Sequence, residues 1–386
     1  MTRDIVCVGF NDWETELWTN QHHLMARFAG SGANVLFIES LGLRRPTVAG
    51  RDVSRMARRL VRGLQPPRER DGVHVLSPLV IPLHGNAAVR RVNARLLPAL
   101  VGRAARRLGM ERPILWGYVP QAEALLDVLD PALVVYHCVD DIATQEGIDT
   151  ASFRAAEERF ARRADLVLAS APRLAERMRA LSDHVMYAPN VADTGAFATA
   201  LEDGPVDRAV AALPGPRLIF TGAIAEKKLD LPLLRDVARA RRDWSLVLVG
   251  PVGLGDPHTD VAALQAEPNV HLLGARSYEE LPAVLRGADV TLIPYRASDL
   301  TASIFPMKVY EYLAAGRPVV ATPLPALEGV DEITVADGVD AFVAAVEREL
   351  ATDTPERRAA RSAAAAAHSW DARLAEITAA LERLGA

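Results

Sequence analysis

The segment Gly215–Pro251, GPRLIFTGAIAEKKLDLPLLRDVARARRDWSLVLVGP, carries the pattern that decides the fold. Its two apolar runs, LIF and LVLV, are short enough for buried strands, and the amphipathic stretch between them is long enough for a helix. Parallel neighbours need a crossover connection, which is usually a helix, so the segment predicts a βαβ unit. Continuous rather than alternating apolar strands indicate a sheet covered on both faces.

The same alternation of strands and helices occurs before this segment and continues after it. The first half contains strand patterns at DIVCVGF, NVLFIES, GVHVLSP, RPILWGYVP, ALVVYHCVDD, DLVLASA and VMYAPN. The second half continues with VHLLGA, VTLIPY, RPVVATP and EITVA. A length of 386 residues suits two domains. We predict an α/β protein with two doubly wound, Rossmann-like domains, whose ligands bind at the carboxyl ends of the strands.

Composition and cysteine usage indicate an ordinary globular enzyme. Half of the residues are hydrophobic and 24% are charged. Cys7 and Cys138 lie inside apolar runs, which is typical of buried thiols in a reducing compartment. The first residues enter a strand pattern directly, and no apolar run approaches the roughly 18 residues of a membrane span. We therefore expect a cytoplasmic protein.

Charge is distributed unevenly along the chain. Arg44–Arg112 contains 16 arginines and 4 acidic residues. Such a region suggests an anionic partner, either a membrane surface, a phosphorylated acceptor or a nucleic acid, and a solvated arginine-rich face is the alternative. Within it, RDVSRMARRLVRG (Arg51–Gly63) is an amphipathic candidate for a helix that lies on anionic lipid or is simply solvated.

Lysine is rare and clustered. The chain has 41 arginines and three lysines, namely Lys227, Lys228 and Lys308. Lys227 and Lys228 follow the carboxyl end of one predicted strand, and Lys308 follows that of another. All three lysines are therefore expected at the same edge of the predicted sheet. An ammonium is a compact charge suited to a diphosphate, and a helix N-terminus beside it adds N–H donors. We predict a phosphate site there, with chance clustering as the alternative.

The segment around Lys308 reads DLTASIFPMKVYEYLAAGRPVVATPLPAL, Asp299–Leu327. It places hydroxyls and an early helical proline before the lysine, at Thr301, Ser303 and Pro306. Glu311 lies one turn after Lys308 on the same side of the predicted helix. Its carboxylate could accept hydrogen bonds from two ribose hydroxyls, and a weak surface Lys–Glu pair is the alternative.

Several segments of the second half resemble GT-B nucleotide-sugar glycosyltransferases of the large retaining group called family 4. The similar segments are PNVADTGAF, FTGAIAEKKLDLPLLRDVARARRDWSLVLVGP, PNVHLLGARSYEELPAVLRGADVTLIPY, FPMKVYEYLAAGRPVVATPLPAL and HSWDARLAEI. In the first half, WETELWTNQHHLMARFAGSGANVLFIESLGLRRP (Trp13–Pro46) is similar, more loosely, to the branch that assembles cell-envelope polysaccharides, such as teichuronic-acid-type transferases.

This resemblance implies a fold, a reaction and partners. The fold would be GT-B, with an acceptor domain at 1–190, a nucleotide-sugar domain at 191–365 and a terminal helix at 366–386 that crosses back. The two domains would face each other across a cleft. The reaction would transfer a sugar from a nucleotide diphosphate-sugar to an acceptor hydroxyl with retention, without a metal or other cofactor. It would serve polysaccharide, glycolipid or natural-product glycoside synthesis. No nucleic acid is implied, and the Arg44–Arg112 region could contact an anionic membrane from the cytoplasmic face.

The resemblance also implies roles for individual residues. Donor binding would fall to Gly222, Lys227, Lys228, Gly274, Arg276, Thr301, Ser303, Pro306, Lys308 and Glu311. Within this set, the segment around Gly274, Ala275 and Arg276 would hold the base through main-chain groups. The catalytic set would be His137, Asp140 and Asp141 from the first domain, together with Lys308 and Glu311. Asn11, Trp13 and Glu14 would lie on the acceptor side.

Two departures from the family pattern keep other functions open. Ser303 stands where the family has a glutamate that touches sugar hydroxyls, and Ala223 stands where a phosphate-binding arginine is expected. A sugar-nucleotide epimerase of the same fold and a non-catalytic nucleotide- or carbohydrate-binding protein remain alternatives.

Adjacent Asp140 and Asp141 are weak signs of a metal site, and the chain has no Cys/His zinc pattern.

Overall fold

The computed structural model describes residues 3–15, 18–41, 65–78, 87–144 and 147–385, except the side chains of 87–91 and 94. The amphipathic segment Arg51–Gly63 lies outside these residues. The chain divides into two compact units. The first unit comprises Met1–Pro189 and Leu374–Ala386, and the second comprises Asn190–Arg373.

The first unit contains an eight-stranded sheet. Its strands are β1 (Ile5–Val8), β2 (Val35–Ile38), β3 (Arg68–Arg70), β4 (Val73–Leu76), β5 (Ile114–Gly117), β6 (Leu133–Cys138), β7 (Leu166–Ala169) and β8 (Val185–Tyr187). Its helices up to residue 189 are α1 (Asn20–Gly30), α2 (Ala87–Arg107), α3 (Leu126–Leu129), α4 (Thr150–Arg163) and α5 (Pro172–Arg179). The strand order is β3-β4-β2-β1-β5-β6-β7-β8, and only the β3–β4 pair among these described strands is antiparallel.

The second unit contains a six-stranded sheet in the order β11-β10-β9-β12-β13-β14, and all neighbouring pairs of these described strands are parallel. Its strands are β9 (Arg217–Thr221), β10 (Ser245–Val249), β11 (Val270–Gly274), β12 (Val290–Ile293), β13 (Val319–Ala321) and β14 (Ile333–Val335). The helices are α6 (Thr194–Ala198), α7 (Arg208–Ala211), α8 (Leu231–Ala240), α9 (Ala262–Gln265), α10 (Leu281–Arg286), α11 (Asp299–Ala302), α12 (Lys308–Ala314), α13 (Val339–Thr352), α14 (Pro355–Ala366) and α15 (Trp370–Arg383). Helix α15 begins in the second unit, and its later residues belong to the first.

The βαβ prediction for Gly215–Pro251 is confirmed. Strands β9 and β10 are parallel neighbours, with Leu218 opposite Leu246, and α8 connects them. The helix starts where expected because the Asp230 side chain accepts a hydrogen bond from Leu233 N at 2.9 Å.

Alternating residues of β9 and β10 supply two apolar clusters on opposite faces of the second sheet. Phe220 and Leu248 belong to the larger cluster, whereas Ile219 and Val247 belong to a smaller one. All four side chains are 0–1% exposed. Burial of each such side chain stabilises the fold by about 2 kcal/mol. Both faces of the sheet are therefore covered by apolar side chains, so a ligand would bind at the ends of the strands.

Three local features differ from the sequence predictions. The stretch ELWTNQHHLMARFAGSG predicts a helix over residues 16–32. Helix α1 begins instead at Asn20, because the His22 side chain accepts a hydrogen bond from Thr19 N at 3.1 Å and ends the loop there. Helix α12 begins at Lys308 rather than at Pro306. Strand β3 was not predicted, since its Arg-Glu-Arg sequence has no apolar pattern and pairs only at the sheet edge.

Candidate functional site

At the carboxyl edge of the second sheet, the backbone that follows β9 lies very close to the backbone that follows β10. Gly222 follows β9 with φ +129°, and Gly250 follows β10 with φ +156°. A Cβ atom on Gly250 would lie 1.9 Å from the Gly222 carbonyl oxygen. A side chain at Gly250 would therefore force the two strand ends apart, so this edge depends on glycine for its shape.

Lys308 lies directly over Gly222. A Cβ atom on Gly222 would approach Cε of Lys308 to 2.4 Å and its Nζ to 2.6 Å. The ammonium is also 5.7 Å from the centre of the Phe220 ring. The structure thus brings together two residues that the sequence assigned to donor binding from places more than 80 positions apart. Their role in binding a donor stays a prediction.

Helix α12 is anchored to the end of β9 by one side chain. Thr221 N donates to the Tyr312 hydroxyl at 2.8 Å, and the hydroxyl of Thr221 lies 3.2 Å from the same oxygen. Both residues are buried. On the same helix, the Tyr310 ring stacks on His368 with centroids 4.0 Å apart. These contacts fix the helix that presents Lys308.

Replacing Tyr312 with phenylalanine should leave the buried Thr221 N–H without its acceptor. We expect a loss of about 1–3 kcal/mol in the free energy of unfolding, measured by urea denaturation. Tyr187→Phe, at a ring that is 38% exposed, is the control and should change stability by less than about 0.5 kcal/mol. Equal midpoints for the Tyr312→Phe variant and the wild type would contradict the anchoring role.

Glu311 is a buried carboxyl close to the Lys308 ammonium. Its exposed fraction is 7%. Burial raises the pKa of Glu311, and the positive charge of Lys308 acts in the opposite direction. A carboxylate in such dry surroundings gains from any hydroxyl that donates to it. The position therefore suits an acceptor for ligand hydroxyl groups.

A second loop at this edge carries the other two lysines. The Lys227 ammonium donates to the Gly255 carbonyl, and Lys227 N donates to Asp256 Oδ2 at 3.0 Å. This bond from Lys227 N is the main cause of the lowered pKa of Asp256. Lys228 O accepts from Arg296 N at 2.9 Å. The loop is thus held by its neighbours, with Lys227 exposed and Lys228 half-buried.

The predicted base-binding segment is held internally. The Arg276 guanidinium donates to Asp207 Oδ2 at 2.8 Å, and this bond is the main cause of the lowered pKa of Asp207. It also donates to the carbonyls of Leu273 and Ala275 at 2.9 and 3.1 Å. Gly274 is exposed at φ +72°. Arg276 therefore shapes this loop, and base binding by its main chain stays a prediction.

The hydroxyls before Lys308 bind their own backbone. Thr301 Oγ1 donates to Arg296 O at 2.6 Å, and Ser303 Oγ donates to Asp299 O at 3.2 Å. Both side chains are nearly fully buried. Pro306 lies in the loop between α11 and α12, also buried. These residues shape the approach to Lys308, and their contact with a phosphate stays a prediction.

In the first unit, the predicted catalytic residues lie in and just after β6. The His137 ring is 3% exposed and stacks on Tyr118 with centroids 4.8 Å apart. Asp140 and Asp141 follow the strand, and Asp141 forms an ion pair with Arg154 at 2.6 Å. The structure therefore places the three residues together at a strand end and gives Asp141 a partner within the protein.

The predicted acceptor-side residues follow β1. Trp13 is 2% exposed, and its Nε1 donates to Asp71 Oδ2 at 3.0 Å. Glu14 forms ion pairs with Arg68 and Arg70, both at 3.4 Å. Asn11 is half-buried. The three residues do lie after one strand end, but Trp13 packs inside the unit, and an acceptor role for any of them stays a prediction.

Sequence reasoning missed a buried polar group beside Trp13. Glu39 is 3% exposed and accepts from Trp13 N at 2.9 Å and from the Ser77 hydroxyl. Gln21 Oε1 accepts from Phe10 N at 3.0 Å. A signal existed for two of these residues, since Glu39 and Ser77 each stand directly after a continuous apolar strand.

Neither a candidate metal site nor a candidate membrane span occurs among the described residues. Within the described ranges, no group of three or more His, Cys, Asp or Glu side chains is placed to hold a metal ion. No helix in the part of the chain that the structure describes is both long and apolar enough to cross a bilayer.

Solved structures identify the class of fold. An Anabaena HepE structure with UDP-glucose has a TM-score of 0.66 at 16% identity and covers 99% of this chain and 100% of its own. The α,α-trehalose 6-phosphate synthase of Burkholderia multivorans has a TM-score of 0.68 at 13% identity, covering 100% and 99%. The predicted α/β GT-B fold is confirmed.

A family model and one curated relative refine the class. Residues 215–352, which lie in the second unit, match the family described as Glycosyl transferases group 1. The chain is 29% identical over 265 residues to TuaH of Bacillus subtilis, which is named as a teichuronic acid biosynthesis glycosyltransferase. That alignment covers 64% of this chain and 66% of TuaH, slightly less than two thirds of its length.

Proposed function

We propose that this protein is a glycosyltransferase that moves a sugar from a nucleotide diphosphate-sugar to an acceptor hydroxyl. The observation that carries the proposal is the position of Lys308 over Gly222, with the buried carboxyl of Glu311 one turn further along α12. This pair lies inside the domain that matches the group 1 family. The HepE structures with UDP and with UDP-glucose support a donor of this class.

The chemistry follows from charge development in the reaction. When the glycosidic bond to the diphosphate breaks, negative charge grows on the leaving phosphate oxygens. A fixed ammonium such as that of Lys308 stabilises this charge more in the transition state than in the ground state. Glu311 would accept from ribose hydroxyls and hold the nucleotide in register. Lys227 would add charge from the second loop by exchanging its Gly255 contact for a phosphate oxygen.

Finer features of the proposal rest on the family resemblance and on TuaH. They are retention at the anomeric carbon, use in cell-envelope polysaccharide synthesis, a sugar, lipid-linked or small-molecule acceptor, and no metal requirement. Peripheral contact with anionic lipid through the Arg44–Arg112 region belongs to the same set. The placement of His137 at a strand end of the first unit is compatible with a residue that faces the transferred sugar.

Nucleotide protection tests donor binding directly. At a UDP concentration 100 times Kd, we expect a stabilisation of about 2.7 kcal/mol, equivalent to roughly 5–10 °C in the melting temperature of a unit of this size. Uridine, which lacks the diphosphate, is the matched control and should give little shift. Because the base is not defined, GDP, ADP and TDP are screened alongside. Absence of protection by every nucleotide diphosphate would refute the proposal.

Turnover assays separate the alternatives. A transferase releases UDP from UDP-glucose only when an acceptor is supplied, whereas an epimerase converts the donor sugar without one. Binding without turnover over a broad acceptor panel would favour a non-catalytic protein, an option that Ser303 keeps open because it lacks the carboxylate of the family motif. Parallel assays with Mg²⁺ and with EDTA test the proposed metal independence.

A further inference from the structure

A second positively charged site occurs at the amino edge of the second sheet. A cavity of about 440 Å³ is lined by residues that include Arg286, Arg317 and Arg358. Arg286 ends the helix before β12, and Arg317 lies between α12 and β13. Both therefore precede strands, so the cavity lies at the opposite edge of the sheet from Lys308.

Arg317 is buried, and one of its N–H donors has no hydrogen-bond acceptor among the described residues. Its exposed fraction is 6%, and Nη1 donates to Ala288 O at 3.0 Å. Its Nε is buried without a hydrogen-bond acceptor among the described residues. Burial, followed by the nearby charge of Arg358, lowers the pKa of Arg317 to about 10, so the guanidinium remains charged at neutral pH. A buried charged donor without an acceptor is costly, and an incoming anion would remove that cost.

The hydrogen bonds of the Arg286 guanidinium go to main-chain carbonyls and not to carboxylates. Its guanidinium donates to the main-chain carbonyls of Thr199, Glu202 and Pro205 at 2.7, 3.1 and 2.6 Å. These acceptors are neutral, so they fix the guanidinium in place and leave its positive charge. A Cβ atom on Gly204 would lie 3.0 Å from Cζ of Arg286, which shows how closely this wall of the cavity is packed.

Arg358 stands in the first turn of α14, a helix of 12 residues whose first residue, Pro355, also lines the cavity. Arg358 Nε donates to Asp353 Oδ2 at 2.6 Å, and Arg361 Nη1 donates to the other oxygen at 2.6 Å. Asp353 is thus shared by two guanidinium groups, of which Arg361 also donates to Glu349 Oε2 at 3.3 Å. The helix N-terminus adds the positive end of its dipole to the same wall.

Two carboxylates line the cavity as well, those of Glu202 and Asp203. Both residues are exposed, so their side chains can turn to water, whereas Arg317 is held inside. The buried charge that lines the cavity, on Arg317, is therefore positive.

We propose that this cavity binds the phosphoryl group of a small anion, with Arg317 as the buried donor and Arg286 and Arg358 as flanking charges. A fixed guanidinium is well suited to a phosphate because its N–H groups match the oxygens. The volume exceeds that of a single phosphate, so a phosphate ester also fits. The site is separate from the proposed donor site and does not depend on it.

Calorimetric titration of the full chain tests the site. Inorganic phosphate and glycerol 3-phosphate are the probes, and the proteins are the wild type, Arg317→Gln, Lys308→Gln and Arg357→Gln. Arg357 lies on the same helix as Arg358 with a side chain that is 42% exposed, and it is not among the residues lining the cavity. We expect binding of at least one probe to the wild type, Lys308→Gln and Arg357→Gln proteins, and affinity at least about tenfold weaker in Arg317→Gln.

The outcomes are distinct. Binding of both probes identifies inorganic phosphate as sufficient, and binding of the ester alone identifies a phosphorylated metabolite. Equal affinity of wild type and Arg317→Gln, loss of binding in Lys308→Gln alone, or no binding of either probe would overturn the proposal. If Arg317→Gln does not fold by circular dichroism, Arg286→Gln replaces it. This variant removes one flanking charge and leaves Arg317 in place, so we expect the affinity for the bound probe to fall at least about threefold. Equal affinity of this variant and the wild type would overturn the proposal.

Discussion

Replacement of Lys308 with glutamine should lower kcat for sugar transfer by about 100-fold to 1,000-fold, while circular dichroism and the melting temperature stay close to those of the wild type. The magnitude is that of removing one preorganised charge-stabilising group from a transition state. The fold should tolerate the change because Lys308 is only half-buried and α12 is anchored independently through Tyr312. Steady-state kinetics with the best acceptor measures the effect.

The control for this variant removes one positive charge elsewhere in the same unit. Arg235 lies on α8 and pairs with Asp236 at 2.9 Å. Arg235→Gln and Lys308→Gln have the same net charge, because each replaces one cationic side chain with a neutral one. It should keep kcat within about twofold of the wild type. Wild-type turnover in Lys308→Gln, or equal losses in both variants, would show that local charge at Lys308 does not drive the reaction.

Replacement of Glu311 with glutamine should separate function from stability. The variant loses a charged acceptor for ligand hydroxyls, so KM for the donor should rise about tenfold to 100-fold. The same change removes a buried carboxylate, so the melting temperature at pH 8 should rise by about 2 °C, equivalent to about 1 kcal/mol in a unit of this size. Donor titrations and thermal melts measure the two effects.

The pH dependence follows from the direction of the pKa shift. Burial raises the pKa of Glu311 in the folded state, so the folded protein holds this proton more tightly than the unfolded chain. The resulting stability is complete below the unfolded pKa and is lost as pH rises through the folded pKa. The advantage of Glu311→Gln should therefore appear at alkaline pH and vanish in acid. A variant that is less stable at every pH would instead assign Glu311 a purely structural role.

Much of the second unit could be predicted from its sequence because its information is local. The apolar runs and the amphipathic stretch of Gly215–Pro251 specify β9, α8 and β10 within one segment. The apposition of Lys308 and Gly222 was also within reach, because residues that follow parallel strands reach the same edge of a sheet. Lysine scarcity then marked which charges at that edge to consider.

Other contacts depend on segments that are distant in sequence. Arg276 was predicted to lie in a base-binding segment, but its ion pair with Asp207 joins residues 69 positions apart. Trp13 was assigned to an acceptor loop, yet it is buried against Phe37 with ring centroids 4.9 Å apart. The local sequence around Arg276 or Trp13 does not identify the contacting residue, because that residue lies in a different segment of the chain. The cavity at Arg317 was unpredictable for the same reason, since distant segments form its wall.

The three lysines give the protein an uneven sensitivity to acylating chemistry. An acyl group neutralises an amine but leaves a guanidinium charged at physiological pH. All of the side-chain amines follow strands β9 and β12 of one sheet, whereas the 41 arginines are spread over the whole chain. Lysine acetylation would therefore remove positive charge at a single edge of the molecule and leave the electrostatics of the rest unaltered.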